Sequence, residues 1–403
     1  MKRLALALTL SVCACESESH GPVDGSRCDL VAIATDYLST SVSLLHADGT
    51  PCELDVLTSG SRPPGLLTAL SGDVVLPSTP SNKNVVYLLD RYPNGVLTEL
   101  ALDPVRVVAQ TRLSQGFAAN PQDLLELLEL ADPDALLVTR LESLPEGGDG
   151  SDLVVLDAAR SITRRVDLAA FSDPGLDPMP TRLVRAGPLL FTGLTHMSRG
   201  DFAQTGPGRV LGLDPITLEV LARVDLPELT NCGQLASAQS ALWVICAGHF
   251  RADLSRRRAF GGLVRVPLPS TAPTALSALT PDFVARASEL GPLGFPLAPI
   301  SDDTAAVVLL GDLTTQAPDR LALVHADGRL EVLAETTPFS LSGILYLAES
   351  KLLLAADGDA FEPRLLRFDL GTSPPTPLEP TLVSKTGLPP RHLARLRPAP
   401  NER

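Results

Sequence analysis

The chain has 403 residues, 44% of them hydrophobic and 20% charged, which is enough apolar material for a large core and excludes a disordered chain. Its formal net charge is −14, a field that repels polyanions, so nucleic acid is not an expected partner. Proline (36 residues) and glycine (30) interrupt long helices and suit a protein of many turns.

The N-terminus reads as an export address. Met1–Lys2–Arg3 is a short basic segment, and the apolar stretch from Leu4 to Val12 is too short to span a bilayer but suits the core of a signal peptide. It ends in Val12–Cys13–Ala14–Cys15. This resembles a bacterial lipobox, in which a small residue precedes a cysteine that is acylated and becomes the mature N-terminus. Cys15 fits best, with Ala14 before it and Val12 three positions back; Cys13 is the second choice, and an ordinary secretory signal is the plain alternative. The resemblance implies a membrane anchor through the N-terminal lipid. Glu16 after the cysteine implies, by the sorting habits of such lipoproteins, the outer membrane. Cleavage after Ala14 removes Lys2 and Arg3 and leaves 31 basic against 47 acidic residues, a balance of −16.

Four cysteines remain in the mature chain: Cys28, Cys52, Cys232 and Cys246. An even number in an exported chain suggests two disulfides, and three pairings are open. Cys232 and Cys246 are equidistant from residue 239, within a turn signal at Ala238–Ala241. A hairpin there would set the two opposite each other and leave Cys28 to pair with Cys52. Four free buried thiols are the alternative. No Cys-x-x-Cys spacing favours zinc.

Seven short apolar runs end alike. Val42–Leu45 runs into His46, Val85–Leu89 into Asp90, Leu153–Leu156 into Asp157, Val210–Leu213 into Asp214, Leu263–Val266 into Pro267, Leu321–Val324 into His325 and Leu365–Phe368 into Asp369. The successive spacings are 44, 67, 57, 53, 58 and 44 residues. Strand-built repeats of roughly 40–50 residues are the signature of propeller blades. The clearest unit opens at Asn120–Pro121–Gln122–Asp123, has a second strand at Ala135–Thr139, a third at Leu153–Leu156 and a fourth at Ile162–Leu168. Pro180 to Leu226 repeats that order. His-Ala-Asp-Gly occurs twice, at 46–49 and 325–328, each time between a third strand and a further apolar run, which predicts hairpin turns.

Asn-Pro, a strand with Val-Thr, an apolar strand ending in an aspartate and then a polar strand resemble the repeat of bacterial β-propellers of the YVTN type. The resemblance implies an all-β fold, a seven-bladed β-propeller with four-stranded blades. It specifies a fold rather than an activity. The first blade lacks an innermost strand of its own. Pro390–Leu396 looks like the innermost strand at Pro180–Arg185, so the C-terminal strand is expected to complete the first blade. The expected division is a signal peptide over 1–14, a tether over 15–27, the propeller over 28–398 and a tail over 399–403. Two stretches allow helix instead: Leu124–Leu130, whose glutamates are three apart, and Phe283–Leu290 between the fifth and sixth blades.

Long loops follow the second strands at Glu142–Ser151, His196–Gly208 and His249–Gly261, and loops on a rigid scaffold commonly carry function. Polar residues recur near the ends of second strands: Asp36, Glu142, His196, His249, Asp312 and Asp357. Together they would form a ligand face able to hold a divalent cation or act as acid and base, while the bland reading is that strand ends are polar because they reach water. Arg251, Arg256, Arg257 and Arg258 would suit an acidic ligand or a solvated surface. Asp357–Gly358–Asp359 begins like a calcium loop but lacks the later ligands, and Trp243 sits in an apolar run that reads as core.

No hydrolase, zinc-protease, P-loop or dinucleotide motif is present. The favoured expectation is a non-catalytic binding or interaction propeller of the cell envelope, with a small molecule or protein as partner and no cofactor. The alternative is a propeller enzyme, such as a lactonase-like metal-dependent hydrolase with a central divalent cation. The single tryptophan argues against a quinone-dependent dehydrogenase, whose propellers dock their blades with tryptophans.

Overall fold

The apolar repeats become seven antiparallel sheets set as blades around a central tunnel, as the computed structural model of residues 24–249 and 259–398 shows. The lipobox with Cys15, and Arg251 and Arg256–Arg258, lie outside the described residues. The third blade holds Pro121–Glu126, Leu136–Ser143, Gly150–Leu156 and Ile162–Val166, from the tunnel outward. The fourth holds Pro180–Ala186, Leu189–Leu194, Pro207–Leu213 and Val220–Thr230 in the same order. A two-residue strand, Ser277–Ala278, adds in parallel to the outer edge of Val220–Thr230, so this blade has five strands. It covers backbone groups that an outer edge otherwise leaves to solvent.

Burial explains why only some strands were legible. Inner strands such as Leu30–Thr35, Thr40–Leu45 and Leu189–Leu194 are buried at every position, because a neighbouring blade covers each face. Leu30–Ala34 therefore reads as an unbroken apolar run, whereas the buried Thr40, Ser41 and Ser43 are tolerated because each hydroxyl has a hydrogen-bond partner. Outermost strands such as Thr376–Thr381 are almost wholly exposed and carry no such signal.

The ring closes as expected. Pro390–Arg395 pairs antiparallel with Leu30–Thr35 and forms the innermost strand of the first blade. The pairing extends through Leu396 N–H to Asp29 O at 2.8 Å and Thr35 N–H to Pro389 O at 2.8 Å. Both His-Ala-Asp-Gly segments form the same turn, with the glycine N–H donating to the histidine carbonyl at 2.9 Å in the first and 2.8 Å in the second. Gly49 and Gly328 have φ of 81° and 86°, which a side chain would strain. Both disulfides form, Cys28–Cys52 and Cys232–Cys246.

One expectation needs correction, and two open alternatives are settled. Val85–Asp90 is the second strand of its blade, and the third is Val96–Leu102, which also runs into an aspartate, Asp103. With Asp103 in place of Asp90, the first two spacings become 57 and 54 residues, in line with the next three. The innermost strand of that blade is only Val74–Val75, too short to leave a mark in the sequence. Leu124 to Glu126 belong to a strand, because pairing with Leu136–Ser143 outweighs a weak helical pattern. Phe283–Arg286 is the fourth strand of the fifth blade, and only Ala287–Leu290 is helical.

Candidate functional site at the tunnel mouth

In each blade the innermost strand starts, and the second strand ends, at one end of the tunnel. The polar side chains gathered there come from several blades. Gln122, Arg182, Gln234 and Ser342 stand near the starts of the innermost strands of the third, fourth, fifth and seventh blades. Arg391 and His392 hold that place in the first blade, on the closing strand. In the second blade Asp73 precedes the short inner strand, and Arg91 follows Val85–Asp90. All eight residues keep partial exposure, as expected of side chains that line an opening.

Hydrogen bonds run around this ring. Arg91 donates to Gln122 Oε1 at 3.0 Å and to Asp73 Oδ1 through Nε at 3.0 Å. Arg182 donates from Nε to Gln234 Oε1 at 3.1 Å and from Nη1 to Ser78 Oγ at 3.2 Å. Beneath them lies Asp123, fully buried. Its carboxylate accepts the N–H groups of Ser78, Leu124 and Leu183, each at 2.8 Å, and the Ser78 hydroxyl. Residues of three consecutive blades meet on this one side chain.

Three guanidinium groups gather around His392, although the chain as a whole is acidic. His392 is held well below its usual range, at about 3, by burial first and then by the charges of Arg91, Arg182 and Arg391. Arg391 lies over the Tyr37 ring, 5.4 Å from its centroid, and its buried Nε has no hydrogen-bond partner. Among the described residues no carboxylate forms an ion pair with Arg391.

Large apolar side chains crowd the same end. Tyr37 (64% exposed), Leu38 (87%), Tyr92 (61%), Leu313 (60%) and Phe361 (94%) all sit on loops that follow second strands. Exposed apolar groups concentrated on one face mark an interaction surface more often than scattered ones do.

The polar strand ends singled out in the sequence are on this face but do not converge. His196 is fully buried; its Nδ1 meets Pro207 O at 3.0 Å, and its Nε2 accepts the Asp173 N–H at 2.8 Å. Both ring nitrogens are therefore occupied in pinning the long loop of the fourth blade. Glu142 accepts from Asn120 Nδ2 at 2.8 Å, and Asp312 accepts the Thr314 N–H at 2.7 Å. Asp36 caps its own turn through the N–H groups of Leu38 and Ser39. Asp357 is buried, which raises its carboxyl, and accepts from Arg364 Nε at 3.2 Å. Asp359 binds instead the N–H groups of Phe361 and Glu362, so the two aspartates of the calcium-like segment serve different partners. His249 stacks edge-on against Phe260. Among the described residues no three His, Cys, Asp or Glu side chains gather closely enough to hold a metal ion. Trp243 is core, packed edge-on against Phe283.

Sequence reasoning passed over Arg91, Arg182, Arg391 and His392. One signal was available: Pro121–Gln122, Pro180–Thr181–Arg182 and Pro390–Arg391–His392 each set long polar groups just after a proline that opens an innermost strand.

No family model and no curated protein matches the chain. Solved structures do. A periplasmic gluconolactonase of Pseudomonas aeruginosa is 14% identical with a TM-score of 0.56, over 91% of this chain and 98% of that one. A protein from Lactobacillus plantarum is 12% identical with a TM-score of 0.55, over 92% and 99%. A functionally unknown protein of Desulfotomaculum acetoxidans is 10% identical with a TM-score of 0.53, over 92% and 100%. The likeness is one of fold.

Proposed function

We propose that this is an exported, lipid-anchored envelope protein, a propeller of the YVTN type, that binds a partner or ligand without catalysis at the tunnel mouth. The observation that carries the reading is the coincidence of exposed Tyr37, Leu38, Tyr92 and Phe361 with three arginines at one end of the tunnel. Apolar and aromatic groups beside arginine are the composition of binding surfaces. The polar strand ends, by contrast, are engaged in local hydrogen bonds.

The chain's geometry suits an anchor. Leu30–Thr35 starts at the end of the tunnel away from the mouth, where Arg397 donates to the carbonyls of Ser26 and Cys28, both at 3.3 Å. The arginine and aromatic face lies at the opposite end of the tunnel from the described N-terminal residues.

Two measurements test this. Metabolic labelling with a fatty acid should mark the wild-type protein and not Cys15→Ser, which should lose membrane attachment. Metal analysis of the purified mature protein should find no stoichiometric cation. A tightly held one would replace the binding role with the lactonase-like, metal-dependent alternative.

A further inference from the structure

We propose that the tunnel mouth is a binding site for a small polyanion, a molecule carrying two or more carboxylate or phosphate groups, held by Arg391, Arg182 and Arg91. The inference rests on the binding role above and names the chemistry of its ligand.

Of the three guanidinium groups at the mouth, only Arg91 has a committed ion-pair partner, Asp73. Asp123 approaches Arg182 to 4.0 Å, but its oxygens already accept three backbone N–H groups and a hydroxyl. Arg391 has no carboxylate partner among the described residues and carries a buried Nε without an acceptor. No hydrogen bond from this guanidinium forms among the described residues, and its partial exposure leaves it open to an incoming anion. These three cations face two carboxylates, Asp73 and Asp123, so one positive charge of the five groups is left over, and an entering anion would offset it.

The donors are also preorganised. Gln234 fixes Arg182, Gln122 and Asp73 fix Arg91, and the Tyr37 ring and the backbone at Gly358 confine Arg391. Planar guanidinium forks held in this way match carboxylate and phosphate oxygens in pairs. Charges delivered from three blades call for more than one anionic group on the ligand. The negative charge of the whole chain disfavours a long polyanion such as nucleic acid, whereas a small molecule can enter the local positive field.

Calorimetric titration of the mature protein with citrate and with inorganic phosphate at low ionic strength tests the proposal. Citrate should bind once per chain, phosphate should compete with it, and added salt should weaken both. Arg391→Gln and Arg182→Gln should each weaken citrate by about tenfold or more, the loss of one charge-assisted contact. Arg397→Gln, at the other end of the closing strand, should leave the affinity unchanged. No saturable binding of either probe, or unchanged affinity in Arg391→Gln, overturns the proposal. Should a variant fail to fold, hydrogen exchange of the wild-type protein decides: citrate must protect the backbone over 389–395, and unchanged exchange there overturns the site. Absence of citrate binding with a cation-free protein removes this inference alone. A stoichiometric cation together with intact citrate binding removes only the non-catalytic reading.

Discussion

Gly343 of the seventh blade lies directly against Arg391 of the closing strand. A Cβ built on it would stand 2.6 Å from the Arg391 carbonyl oxygen and 3.4 Å from the His392 Cα. No side chain fits that gap, so the seam between the last blade and the first depends on backbone meeting backbone. The Arg391 guanidinium beyond it is confined in the same way, since a Cβ on Gly358 would approach its Cζ to 2.9 Å. Ring closure and the placement of the mouth arginine therefore share one contact surface.

Gly343→Val should destabilise the protein by about 1–3 kcal/mol through overpacking at this seam. Truncation after Lys385 should do more, because it removes the strand that pairs with Leu30–Thr35 and leaves two blade edges open. Thermal unfolding followed by circular dichroism checks both. A truncated chain that melts like the full-length protein would show that closure contributes nothing.

Asp123→Ala should cost about 3 kcal/mol, since it strands the buried N–H donors of Leu124 and Leu183 and frees the exposed Ser78 from the blade seam. Asp123→Asn should recover little of that, because its amide would set donors against donors. Urea unfolding of the two variants against wild type gives the comparison. Equal midpoints would mean that the side chain does not tie its three blades together.

The disulfides close stretches of 24 and 14 residues. Chain-entropy arguments give about 3 kcal/mol for each, so reduction should lower the melting temperature clearly. Thiol alkylation of the unfolded, unreduced mature protein should leave Cys28, Cys52, Cys232 and Cys246 unmodified, and peptide mapping should recover 28 with 52 and 232 with 246. Any other linkage would contradict the structure.

His392 predicts a pH dependence. Its value near 3 in the folded state lies below the unfolded value near 6.5, so the unfolded chain takes up a proton that the native state refuses. Its share of stability is complete above pH 6.5 and is lost progressively as pH falls towards 3. The lowered carboxylates, among them Asp149 and Asp177, add their own loss only below about pH 5. Between pH 6.5 and 5, His392→Asn should flatten the decline seen in the wild type. An identical slope in both proteins would show that His392 does not sit half-buried among cations.

The blade count and the hairpin turns were legible in the chain because local rules govern them, and the likeness of Pro390–Leu396 to Pro180–Arg185 pointed to the closing strand, while the disulfide pairing stayed open until the strands were placed. A strand covered on both faces is mostly apolar, and an Asp-Gly turn needs a glycine with positive φ. The short inner strand Val74–Val75 and the exposed outer strands left no such trace, since pairing with a neighbour rather than composition makes them strands. The candidate site shows the same division more sharply. His196 looks like a ligand in the sequence, yet its ring is used up by the carbonyl of Pro207 and the N–H of Asp173. Arg182 and Arg391 look like surface arginines, yet they stand 209 positions apart in the chain and both act on His392. The order of residues sets which segments become strands, because burial demands apolar runs. Only closure of the ring sets which charges share an opening, because that proximity arises between blades distant in sequence.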